Sequence, residues 1–397
     1  MSEFSRLLDS IRNIALVVLL LVIGVSYHPT IVNMSKVAGY ESGTILSRYI
    51  ELLFMGILAL SILSIGLSFF RSKMIRSMVV WMVIVGVAGL AALALFNSHK
   101  VLGDIKSLII VFGAVIIGWS LKPSRTFLYI LFFYFIGSIF FSGLSQVFTR
   151  IGGFIIADQY LTDAKNSLGA LLASATLLSL FMVHDTKIPL IRIICIACVV
   201  LGILLLLVIR ARMAFLTTAI MILYYLYIYY RRKYLILLVV LLIPILVVLV
   251  FFLPTSIFDF IGASFTAGTQ GEDFGSGRIE TYTQALTLFW ENPLLGNIKG
   301  EVQIDWVHNF PLLKLSSFGL LFSWPILTLY FIILWNAFIR SVRHTGMVSF
   351  MNLFLLVPFV ISMAEPTFPF GPGTVTVFNF LLFGIADKAI VTNSTPN

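Results

Sequence analysis

Long apolar runs alternate with short polar connections along this chain, and twelve of the runs are long enough, or nearly so, to cross a bilayer: 11–27, 49–70, 77–96, 105–121, 126–145, 166–183, 189–209, 211–230, 234–253, 310–338, 346–363 and 371–388. Inside hydrocarbon every backbone N–H and C=O must pair within a helix or around a closed barrel, and runs this long without period-two alternation exclude the barrel. The pattern predicts an all-α polytopic membrane protein, a single integral membrane domain over 1–397. Its longest polar interruption, about 254–309 between the ninth and tenth runs, is predicted to be one large external loop containing an amphipathic helix.

Composition agrees: the mean hydropathy is +1.06, with 60% apolar and only 11% charged residues, far from the roughly 25% charged residues of soluble domains. The formal net charge is +9, but the basic residues stand in twos and threes at the ends of apolar runs. That arrangement orients spans and argues against nucleic acid. Placing both termini in the cytoplasm puts 15 of the 26 Lys and Arg inside and only four of the 17 acids (Glu3, Asp9, Asp185, Asp387) with them. The external face thus gathers polar residues of both signs, as a site would. Cys195 and Cys198, at helical spacing in an apolar run, read as small helix-contact residues.

Within the loop, a glycine-rich acidic stretch (G-T-Q-G-E-D-F-G-S-G, 268–277) precedes a segment whose apolar positions Ile279, Tyr282, Leu286, Phe289 and Trp290 recur near 3.6 spacing. A helix is expected to start after Ser276 or Gly277 and end at Asn292-Pro293, lying against the membrane or the bundle. Arg278 falls in its first turn, where the helix dipole disfavours a cation unless an anion shares the place. His308 follows thirty positions later in D-W-V-H-N-F, with Asp305 three residues before it to orient the ring of a general base. Arg210 and Arg212 stand at the external boundary between the seventh and eighth runs; two positions on a regular helix lie about 200° apart, so one of them faces a cavity there. Guanidinium groups bind phosphate oxygens in bidentate fashion, and a pyrophosphate leaves readily once its charge is held. An arginine set with one histidine at a membrane surface therefore suits transfer of a glycan from a lipid pyrophosphate to a sugar hydroxyl, without a metal or other cofactor.

The order of short motifs carries a resemblance. G-S-G-R, then W-x-N-P-L-L-G, then V-H-N-F-P-L-L-K-L-S-S-F-G-L, together with R-A-R-M-A-F-L and D-A-K-N-S-L-G-A around Asn166, is similar to the bacterial O-antigen polymerase and O-antigen ligase superfamily over about residues 158–320. The resemblance implies a metal-independent inverting glycosyltransferase of the inner membrane, with its active site in the periplasm. Its donor would be an undecaprenyl-pyrophosphate-linked oligosaccharide, and a chain-length regulator is implied as a partner beside the lipid bilayer. Arg212, Arg278 and His308 fall on the family's arginine and histidine positions, with Arg210, Asn166, Asp305 and Asn309 as further substrate-binding candidates. Ala211 replaces a usual serine and Arg210 is an additional arginine, leaving open which of Arg210 and Arg212 serves the site. The short spacing from Arg278 to His308 favours a polymerase over a ligase that must admit the lipid A core. A transporter is the remote alternative, disfavoured by the lack of a matched pair of Gly/Pro-broken spans.

Overall fold

The computed structural model describes residues 3–31, 46–98, 100–151, 164–209, 211–229, 278–299, 307–371 and 374–394. The described elements are helical throughout: α1 (Glu3–Val25), α2 (Ser47–Ile65), a 3₁₀ turn (Ser68–Arg71), α3 (Lys73–Phe96), α4 (Lys100–Ser120), α5 (Arg125–Ile151), α6 (Ala164–Asp185), α7 (Pro189–Val208), α8 (Arg212–Tyr229), α9 (Arg278–Glu291), α10 (Phe310–Arg343), α11 (Gly346–Ile361) and α12 (Val377–Ser394). Among the described residues, nine helices are long and apolar enough to span a membrane, and α11 is a shorter apolar helix. Eleven of the twelve expected runs thus coincide with helices; the ninth, 234–253, lies outside the described residues.

Boundaries moved where tertiary partners outweigh the local pattern. The last helix was expected over 371–388 but runs Val377–Ser394. It continues past Asp387 and Lys388 because both charges are met inside the bundle. Arg340 Nη1 lies 2.7 Å from Asp387 Oδ1, and Lys388 donates to the backbone oxygens of Ser120 and Leu121 at 3.3 and 2.8 Å. Ionisable groups among apolar helices are tolerated when partnered in this way. The end of the bundle holding both termini carries two more such pairs, Arg12–Asp9 at 2.9 Å and Arg125–Asp185 at 2.8 Å. Three of the four acids assigned to the inner face are therefore bonded to basic partners there.

Helix α6 is the most enclosed span, and small residues let its neighbours close on it. A Cβ added to Gly169 would sit 2.7 Å from the Cβ of Ala211, and one added to Gly202 would sit 2.1 Å from the Thr176 hydroxyl. Close approach over small residues is how helices pack where lipid removes the hydrophobic drive between them. Large apolar side chains left exposed, such as Leu52, Leu63, Val83 and Val87, face outward as a lipid-contacting surface should.

Candidate functional site

The described candidates Asn166, Arg212, His308 and Asn309 lie at helix starts at the end of the bundle opposite the Arg340–Asp387 pair, and the H-N-F-P motif shows how one of them is aimed. Asn309 is the N-cap of α10: its side-chain oxygen accepts from Leu312 N at 2.9 Å, and proline occupies the first turn, the usual chemistry of a helix start. The Asn309 amide donates to Met363 O at 3.1 Å, and Phe310 N to Ser362 O at 2.9 Å. The turn after α11 is thereby fastened to the start of α10. Asn309, expected to bind substrate, has both ends of its amide on backbone groups and so fixes the direction of its neighbour His308.

His308 is partly exposed, and its Nδ1 lies 3.9 Å from Glu365 Oε2. That separation is longer than a direct hydrogen bond. Glu365 is 8% exposed. Asp305, expected to orient the ring, lies outside the described residues. Glu365 was missed because it stands 57 positions away from His308, beyond two helices. The available signal was a lone acid in the apolar, proline-containing stretch M-A-E-P-T-F-P-F-G.

Helix α9 begins at Arg278, as expected, and the Tyr282 hydroxyl donates to His308 O at 2.8 Å. Positions four apart share a helix face, so the backbone of Arg278 comes within one turn of the residue that anchors α9 to His308. The far end of α9 is held by a clasp. Gly319 interrupts α10 with φ 58° and ψ −171°, which turns the next two N–H groups away from the helix's own carbonyls. Leu320 N donates instead to Pro293 O at 2.8 Å and Leu321 N to Leu294 O at 3.0 Å, while Ser316 O accepts from Asn297 N at 2.8 Å. Gly296, also at positive φ (57°), lies so close that a Cβ there would be 2.6 Å from Gly319 N and from Ser316 O. The glycines of N-P-L-L-G and S-S-F-G therefore meet each other, a geometry only glycine permits.

The second group of candidates surrounds α6. Asn166 lies in its first turn, and the Gly169–Ala211 contact brings that turn against the start of α8, where Arg212 is found. Ala211, the departure from the family's serine, is buried against α6. Arg210 lies outside the described residues, as does the side chain of Arg278. Further along α6, Ala170 and Ser174 meet Ile361, Phe368 and Thr376 around a gap too tight for a water, linking this group to the turn that carries Glu365. Lys314, one turn into α10, is held by both carboxylate oxygens of Asp104 at 2.6 Å and covered by the rings of Phe310 and Phe318. Its charge pins α10 to α4.

Fold and site define a polytopic all-α membrane protein with a histidine–carboxylate pair and an arginine-led helix gathered at one end of the bundle. A family model described as O-antigen ligase matches residues 196–298. This match supports the O-antigen ligase and polymerase superfamily without separating the two activities. It spans Arg210, Arg212 and Arg278 and stops before His308. No curated protein matches the chain.

Proposed function

We propose that the protein transfers a glycan from a polyprenyl pyrophosphate, taken to be undecaprenyl, to a sugar hydroxyl on the periplasmic face of the bacterial inner membrane. The observation that carries this reading is the junction of three elements at His308: the capped start of α10, Glu365 at 3.9 Å from Nδ1, and α9 tied on through Tyr282 at 2.8 Å. With Nδ1 directed to Glu365, Nε2 is the atom assigned to take the proton from the acceptor hydroxyl. The hydroxyl oxygen then bonds to the anomeric carbon, the bond from that carbon to the pyrophosphate oxygen breaks with its electron pair, and configuration inverts. Arg278, with Arg212 or Arg210, holds the charge growing on the leaving pyrophosphate. No metal is required in this scheme.

The polymerase assignment, in which the acceptor is a second lipid-linked repeat unit, rests on the thirty-residue interval between Arg278 and His308. The ligase reading, with lipid A core as acceptor, is favoured by the description of the matching family. Reconstitution in liposomes with lipid-linked repeat units decides between them. Polymer formed without core supports the polymerase, product formed only with core supports the ligase, and product in neither arm rejects glycan transfer. In the active arm His308→Ala is expected to lose about 10²–10⁴-fold in rate, the usual contribution of a general base, while still inserting and purifying.

A further inference from the structure

Helix α9 does not have two faces but three. At roughly 100° per residue, Glu280, Gln284, Thr287 and Glu291 share a polar exposed face, while Tyr282 and Ala285, the latter fully buried, share the face turned to the bundle. Leu286 and Trp290 lie on a third strip. They are 46% and 71% exposed, and Leu294 in the following turn is 64% exposed. Of the apolar positions expected to form one stripe, Tyr282 thus faces the bundle while Leu286 and Trp290 face out.

We propose that the strip Leu286, Trp290 and Leu294 is buried in the bilayer leaflet at the site end of the bundle, making α9 an interfacial helix seated on both protein and lipid. Three observations favour lipid as the occupant. First, the strip continues into a spanning helix: Leu321 N donates to Leu294 O, and Leu320, Leu321 and Trp324 of α10 are themselves exposed apolar residues of a candidate span. Second, its depth is set by the neighbouring residues Leu295 and Ile298, which pack with Ala92 and Phe96 in the last turn of α3. That turn is the end of another candidate span, Lys73–Phe96. Third, the strip contains a tryptophan beside a row of polar residues, the composition that settles at a membrane–water interface.

The inference needs none of the chemistry proposed above. It does imply that Arg278, at the start of the same helix, is held at the level of lipid headgroups. The experiment places single spin labels in a Cys195→Ala/Cys198→Ala background, reconstituted in phosphatidylcholine nanodiscs, at Leu286→Cys, Trp290→Cys, Leu294→Cys and, on the polar face, Gln284→Cys and Thr287→Cys. Collisions with lipid-soluble oxygen and with a water-soluble nickel chelate are then compared. Oxygen is expected to dominate at 286, 290 and 294 and nickel at 284 and 287. Nickel dominance at all five positions overturns the inference, as does low access to both reagents at the strip, which would reveal a protein partner there.

Discussion

At the scale of single residues, the sequence singled out His308 but not the carboxylate that the structure sets beside it. His308 could be singled out because it sits beside a helix-start signature at the end of a polar loop, features that are local in the chain. A carboxylate was expected nearby, at Asp305, which lies outside the described residues; the structure places Glu365 beside the ring from beyond two helices. If Glu365 orients the ring, Glu365→Gln should lower the transfer rate by less than His308→Ala. The loss should fall on kcat rather than on KM for the donor, because a misdirected ring impairs proton transfer and not binding. Glu365→Asp should restore part of the rate, and an unchanged kcat in Glu365→Gln would leave the carboxylate a purely structural role. Arg278→Lys should fail nearly as badly as Arg278→Ala, since lysine lacks the planar two-donor fork. A fully active lysine variant in the liposome assay would count against pyrophosphate clamping.

Among the elements, α9 and α10 behave as one unit because a broken helix is completed by a turn. Three backbone hydrogen bonds cross the clasp, at 2.8, 3.0 and 2.8 Å, each worth about 0.5–1.5 kcal/mol net. Gly319→Ala would put a side chain 2.4 Å from the backbone of Leu294 at a positive φ. A cost of at least about 1–3 kcal/mol is expected from the backbone conformation alone, read as a lower thermal midpoint in detergent. Gly296→Ala should act in the same direction, and the double variant should cost less than the sum because both changes open the same contact. The motif glycines were visible in the sequence as signals. Their meeting was not, since sequence spacing carries no information about which carbonyls a helix break will find.

For the molecule as a whole, the apolar pattern located the spans and the buried charges set where they end. Arg340 and Asp387 are 17% and 1% exposed at a separation of 2.7 Å. Removing one member of such a pair leaves the other uncompensated, so Arg340→Ala should destabilise by about 3–5 kcal/mol. Arg340→Met combined with Asp387→Leu should recover most of that loss, as measured by thermal unfolding in detergent; no recovery would show that the pair is needed for more than charge balance.

The sequence by itself determined the class of protein and the placement of eleven described helices. Hydrophobic periodicity, helix-start chemistry and run length are properties of neighbouring residues, so they can be read along the chain. Only the tertiary structure decided that Glu365 comes beside His308, that Asn166 shares a corner with the start of α8, that Gly296 and Gly319 close on one another, and that the last helix carries its charges inward. Each of these joins segments far apart in the chain. Their energy comes from burial and backbone pairing that exist only once the helices have packed.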